Sequence, residues 1–289
     1  MKLIRFGEAN AEKPGVILAD GRRIDASDQF VDYDEAFFAF GGMESLEAWI
    51  EDGCPGGIEV DASVRLGPPV ARPSKIVCVG QNYSEHAREM GGEIPTEPVL
   101  FMKATTAWSG PNDEVLIPRG AQKLDYEVEL AIVIGIVAND IAKEDASKHI
   151  AGYAVLCDFS ERSFQKDHGG QWMKGKSCDT FAPMGPVLTT VDEVENPQKL
   201  GLWCKVNGEV RQNSSTKDML FGVYEIVSYI SRFMTLLPGD VISTGTPSGV
   251  AMGMSPPRYL QAGDRVECGV ENLGKLEQLV VSSRSVSAN

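Results

Sequence analysis

The acids Glu127 and Glu129 stand two apart in the run Leu124-Asp-Tyr-Glu-Val-Glu-Leu130, and Asp158 follows the apolar run Tyr153-Ala-Val-Leu-Cys157. Alternation along an extended chain puts both glutamates on one face of a strand and Val128 and Leu130 on the other. Two carboxylates side by side repel unless one is protonated or a cation lies between them. The continuation Ala131-Ile-Val-Ile-Gly135 carries the strand into a core, where unpaired charge costs more. A neighbouring strand ending at Asp158 can bring a third carboxylate to the same spot. Three carboxylates without an imidazole form a hard oxygen site, suited to Mg²⁺ or Mn²⁺, with Ca²⁺ as an alternative, and unsuited to zinc. Glu127, Glu129 and Asp158 are therefore candidate metal ligands. Glu-x-Glu alone better describes a solvent-facing acidic edge; the apolar flanks and the residues that follow Asp158 reverse that in favour of the metal.

Other polar residues could serve that centre. Ser84 to Met90 reads as a short helix capped by Ser84 and stopped by Gly91 and Gly92, with His86 and Glu89 on one face. A carboxylate beside an imidazole orients it as a base. Spacing alone fits an ordinary exposed pair, and the glycine-bracketed setting keeps the catalytic role open. Arg162 and Gln165 follow Asp158 by four and seven positions, which stacks them on one helical face where a cation and an amide would flank the metal. The plainer reading of Arg162 is a salt bridge with Asp158. Gly169 to Thr180 is glycine-rich and cationic, a loop that can carry Lys176 to an anionic substrate. The run Thr244-Gly-Thr-Pro-Ser-Gly249 is too rich in glycine and proline for regular structure, and its amides and Thr246 can bind carboxylate oxygens.

The elements that must position these residues belong to a chain of 289 residues, 43% hydrophobic, long enough for one large unit and a smaller partner. The fold class expected is α+β. Residues 1–71 read as a small N-terminal α+β domain, with a hairpin from Lys2–Phe6 and Val16–Ala19 and a helix over Met43–Ile50. Gly67-Pro-Pro69 and Arg72-Pro73 punctuate its end. Residues 72–284 are strand-rich and form the catalytic unit, with the longest amphipathic helix over Asp218–Phe233; residues 285–289 are a tail. The net charge of -14 disfavours nucleic acid and anionic membrane as partners. The start is too polar for a signal peptide and no apolar run reaches a membrane span, so a cytoplasmic location is expected. Six scattered cysteines without a C-x-x-C pattern read as free thiols.

Taken in order, the motifs resemble the fumarylacetoacetate hydrolase family over roughly residues 73–284. Its Glu-x-Glu, later Asp, Gln seven positions on, Lys in a glycine-rich loop and Gly-Thr-Pro-x-Gly turn are met by Glu127, Glu129, Asp158, Gln165, Lys176 and Gly245-Thr-Pro-Ser-Gly249. His86 and Glu89 resemble the lid dyad of the family's acylpyruvate hydrolases. The resemblance implies a mixed β-roll catalytic domain, a homodimer, and Mg²⁺ or Mn²⁺. The N-terminal unit and the run Met252-Gly-Met-Ser-Pro-Pro257 resemble the bacterial 2,4-diketo-3-deoxy-L-fuconate and L-rhamnonate hydrolase subgroup, often labelled ureidoglycolate lyase. The function implied is hydrolysis of a carbon–carbon bond in a 2,4-diketo acid, releasing pyruvate and a hydroxy acid. His86, Glu89 and Lys176 would be catalytic, and Arg162, Gln165, Lys176 and Thr246 would hold the small 2-oxo acid. Rival readings are oxaloacetate decarboxylation or keto–enol tautomerisation and isomerisation on the same site, and, in another class, a non-enzymatic metal-stabilised interaction domain.

Overall fold

The computed structural model describes residues 1–282. Strands β1 (Lys2–Phe6), β2 (Lys13–Ile17) and β3 (Arg23–Asp25) form an antiparallel meander. Helix α1 (Glu35–Ala39) starts where the Asp34 carboxylate accepts from the Phe37 amide at 2.9 Å, and α2 (Gly42–Glu51) buries Leu46 and Trp49. Strands β4 (Ile58–Val60) and β5 (Leu66–Gly67) complete the first 71 residues. Next come β6 (Ile76–Gly80), α3 (Ser84–Glu89), β7 (Val99–Lys103), β8 (Trp108–Ser109), β9 (Val115–Ile117), β10 (Leu124–Asp125), β11 (Val128–Ile134) and β12 (Ile150–Cys157). The short β13 (Ser160–Glu161), α4 (Arg162–Lys166) and α5 (Met173–Lys176) lead to the long β14 (Ala182–Thr190). Strands β15 (Gly201–Val206) and β16 (Glu209–Ser215), helix α6 (Val223–Ser231), β17 (Val241–Ser243), β18 (Arg265–Val270) and β19 (Gly274–Ser282) close the described chain. This is the expected α+β class.

A twelve-stranded mixed sheet runs β4-β3-β2-β1-β14-β12-β11-β17-β6-β7, with β5 on β1 and β8 on β14. A five-stranded sheet, β16-β15-β18-β19-β9, packs on it through contacts of β11, β12 and β14 with β15, β18 and β19. Every residue of β11 and β12 is buried, so these strands read as continuous apolar runs except where a carboxylate is placed. β1 is hydrogen-bonded to β14, with Leu3 opposite Leu188, so the chain before and after residue 71 shares one sheet. We propose the division at residue 71 as one between lobes of that sheet.

Several elements differ from the sequence reading. β2 pairs with β1 as expected but spans Lys13–Ile17, beginning before Val16. Tyr83, not Ser84, is the N-cap of α3, and no side chain caps that helix. The helix expected over 218–233 is α6 alone, because Asn82 accepts the Leu220 amide on its carbonyl and the Phe221 amide on its side chain, both at 2.8 Å, and keeps those amides out of the helical ladder. Residues 283–284, expected to end the catalytic unit, and the tail at 285–289 lie outside the described residues. All six cysteines are free.

Candidate metal centre and active site

Register explains how the acids meet. β11 and β12 are antiparallel with Val128 opposite Cys157, and the Asp158 amide donates to the Glu127 carbonyl at 2.8 Å. One strand start and one strand end therefore deliver three carboxylates to one point. Oxygens of Glu127, Glu129 and Asp158 lie within 4.8 Å of one another, and all three residues are buried. On the other side of β11, β17 pairs Ser243 with Ala131, which sets the Ser243 hydroxyl to donate to Glu129 at 2.5 Å. The Gly245 amide adds a second bond to the same oxygen at 2.7 Å. Gly245 has φ +97°, a conformation that turns its amide inward and that side-chain-bearing residues rarely adopt.

The cations around these acids are unevenly shared. Lys176 donates to Glu127 at 2.5 Å and to Asp158 at 2.7 Å. Arg162 forks onto Glu127 at 2.6 Å and Asp125 at 2.9 Å, while its remaining nitrogen reaches Gln165 at 3.1 Å. Lys103, buried at the end of β7, pairs with Asp158 and donates to the Phe159 carbonyl at 3.1 Å. Burial would raise the Glu127 pKa, but Lys176 and Arg162 outweigh it and hold this carboxyl below the ordinary range. Glu129 goes the other way: burial first, then the charges of Asp158 and Glu127, push its pKa well above the usual value. Lys176 is held protonated, since Asp158 and Glu127 more than offset the burial that would lower its pKa.

Glu129 is thus the acid of the cluster with neutral donors and no ion-pair partner among the described residues. A divalent cation beside it would supply the missing charge, and an all-oxygen donor set suits such an ion. The residues fit a hard divalent cation.

A partly open pocket lies over this floor. Glu127, Glu129, Arg162, Gln165, Lys176 and Thr246 line it, together with His86 from α3. His86 is buried, with Nδ1 at 3.3 Å from Glu89, so the pair is no exposed surface dyad. Glu89 in turn accepts the Gly249 amide at 3.0 Å, which docks α3 onto the loop after β17. One wall is apolar, formed by Val79, Met90, Phe101 and Trp172, with the two aromatic rings edge to face at 5.3 Å.

A family model described as fumarylacetoacetate (FAA) hydrolase C-terminal matches residues 75–281. The chain belongs to the fumarylacetoacetate hydrolase family. A Burkholderia multivorans protein named as a hydrolase is 46% identical over 285 residues, 98% of this chain and 100% of that one. Among solved structures, fumarylacetoacetate hydrolase from psychrophilic Exiguobacterium antarcticum is 38% identical with a TM-score of 0.83, over 98% of this chain and 100% of its own. Maleylpyruvate hydrolase from Sphingobium sp. SYK-6, in complex with manganese(II) and pyruvate, is 31% identical with a TM-score of 0.80 over the same shares. A 5-carboxymethyl-2-hydroxymuconate delta-isomerase from Mycobacterium smegmatis is 35% identical with a TM-score of 0.77, over 99% of this chain and 100% of its own. The expectation of an enzyme acting on carbon–carbon bonds is met by this membership. No helix among the described residues is long and apolar enough to cross a membrane.

Against the fumarylacetoacetate hydrolase motifs, each residue singled out in the sequence lies at the cavity or against it, with three changes of detail. Arg162 pairs with Asp125 and Glu127, not with Asp158. Lys176 ends a short helical turn and is buried, rather than riding a solvated loop. The turn amides bind the protein's own acids, Gly245 to Glu129 and Gly249 to Glu89, and the Thr246 hydroxyl donates to the Val128 carbonyl at 2.8 Å. Sequence reasoning missed Lys103 and Asp125. A lysine closing the apolar run Val99–Met102 was the available signal, since a buried ammonium needs a carboxylate.

Proposed function

We propose that the protein hydrolyses the C3–C4 bond of a 2,4-diketo acid, an acylpyruvate, to pyruvate and a carboxylic acid. The observation that carries this reading is one cavity holding both a buried three-carboxylate cluster faced by Lys176 and a carboxylate-oriented imidazole. A divalent cation held by Glu127, Glu129 and Asp158 would supply Lewis-acid polarisation of the 2-oxo group and counter-charge for the enolate that leaves. The Nδ1–H of His86 donates to Glu89, which leaves Nε2 free to take a proton from water as its oxygen bonds to C4. Collapse of the adduct breaks C3–C4, the electron pair stays on C3 as pyruvate enolate, and the proton held on His86 returns to C3. Lys176 stays charged and so acts as a counter-ion to the anion, with Arg162 and Gln165 fixing the same wall and Thr246 bounding the pocket.

Within this reading the ion is Mg²⁺ or Mn²⁺, with Ca²⁺ as a further candidate, and the chain is a cytoplasmic homodimer. A 2,4-diketo-3-deoxy sugar acid such as the L-fuconate or L-rhamnonate derivative is the substrate that the subgroup resemblance supports. Similarity to a solved isomerase favours a second reading, keto–enol isomerisation without bond cleavage. A panel of 2,4-diketo acids with Mg²⁺ in ¹⁸O-water separates them. Pyruvate release with label in the acid product is expected, and His86→Ala should lower that rate by about 10²- to 10⁴-fold while oxalate still binds. Substrate loss without pyruvate would overturn hydrolysis in favour of isomerisation.

A further inference from the structure

A side chain of the five-stranded sheet reaches across to the strand that bears the acids. Counting back from the Asn207-Gly208 turn, Val206 pairs with Glu209 and Lys205 with Val210, so regular pairing would set Arg211 opposite Cys204. The register slips by one, and Gln212 stands there instead. Arg211 is thus the extra residue of a β-bulge, a device that re-aims the side chain beside it. Gln212 is completely buried, and its Oε1 accepts the Val128 amide at 3.0 Å, in the peptide that leads from Glu127 to Val128. Its Nε2 donates to the Thr246 hydroxyl and to the Pro247 carbonyl, both at 2.8 Å. These partners fix which way the carboxamide points, since Val128 offers only a donor and Pro247 only an acceptor. Thr246 closes the ring by donating to the Val128 carbonyl at 2.8 Å.

The turn held in this way carries two amides at the site, Gly245 on Glu129 and Gly249 on Glu89. It also packs on the bulge without slack, since an added Cβ at Gly249 would overlap the Arg211 carbonyl. We propose that Gln212 is a positioning residue: it locks the Gly245-Thr-Pro-Ser-Gly249 turn to the start of β11, so that the turn holds Glu89, and through it His86, in place over the acid cluster. This inference rests on the reading of His86 as the base and adds the residue that sets where the base stands.

Gln212→Met fills a similar space with neither donor nor acceptor. On an acylpyruvate with Mg²⁺ it should lower kcat by about 10- to 100-fold, the scale of a misplaced catalytic group. In a His86→Ala background the same change should cost less than about threefold more, because the base it places is already gone. Loss by the same factor in both backgrounds is what a general loss of packing gives, and would overturn the proposal. Hydrogen exchange reads the contact without turnover. In the metal-free protein, Gln212→Met should speed exchange over residues 84–90 and at Gly249, while residues 201–206 of β15 keep wild-type protection. Unchanged exchange over residues 84–90 would also overturn it. Should the methionine variant not fold, Gln212→Glu keeps an acceptor for Val128, loses at least one of the two donor contacts, and should show the same pattern in milder form. If the wild type cleaves no acylpyruvate and the exchange result holds, the reaction is wrong and the positioning role stands.

Discussion

Two glutamates separated by one residue have opposite fates, and the difference is entirely one of neighbours. Glu127 touches Lys176 and Arg162; Glu129 touches a hydroxyl and an amide. A carboxyl whose pKa is raised by folding binds its proton more tightly in the folded state. Its favourable contribution is complete below the unfolded value near ~4.3 and is lost as pH rises through the folded value. The metal-free protein at pH 8 therefore carries the strain of ionised Glu129 or the cost of keeping it neutral. Glutamine at this position still accepts from Ser243 and Gly245 but does not titrate. Metal-free Glu129→Gln should melt above the metal-free wild type at pH 8, by roughly 2–4 °C for each kcal/mol relieved, with the gap closing toward pH 5. Differential scanning calorimetry at the two pH values checks this; a gap independent of pH would count against it. The same variant should lose Mg²⁺ affinity. The acids themselves were legible from residue type and alternation. Their unequal charging was not, because Lys103 and Ser243 reach them only from segments distant in the chain.

Among the elements, α3 and the loop following β17 work as a unit. Glu89 is clasped by the Gly249 amide, and the small six-residue helix has no side-chain cap to hold it independently. Gly253 packs under it so closely that an added Cβ would lie 2.2 Å from the Glu89 carboxyl carbon. Gly253→Ala should thus push Glu89 away from His86 without touching the acid cluster. The expected outcome is a loss of about 10- to 100-fold in kcat, as for partial removal of a positioned base, with Mg²⁺ affinity unchanged and faster amide exchange over residues 84–90. Wild-type kcat in this variant would show that Glu89 has room to adjust. The helical spacing of His86 and Glu89 was readable from sequence. The clasp was not, since it depends on where a loop some 160 residues later returns. The overlong helix expected at 218–233 failed for the same reason, with Asn82 reaching across to claim backbone amides that periodicity assigned to the helix.

At the scale of the molecule, the class of fold and the order of its catalytic segments could be read from the chain. What pattern alone does not reveal is that the first lobe belongs to the same sheet. β1 lies along β14, and one continuous apolar cluster runs from Leu3, Val16, Tyr33 and Trp49 through β11 and β12 to Val280. A second small cluster joins Ile4, Phe6 and Leu66 to Val187. The catalytic segments contribute β14 as a partner to that lobe, so a polypeptide starting at residue 72 would present β14 with part of one side unpaired and with Val187 and Leu188 uncovered. Such an edge templates strand addition by another chain, and its apolar lining has no water-facing alternative. Expressed alone, the 72–289 fragment should self-associate into high-molecular-weight species, seen by light scattering, even though it retains every residue assigned to the chemistry. Dissecting the enzyme at its sequence punctuation would then yield inclusion bodies rather than a minimal catalyst.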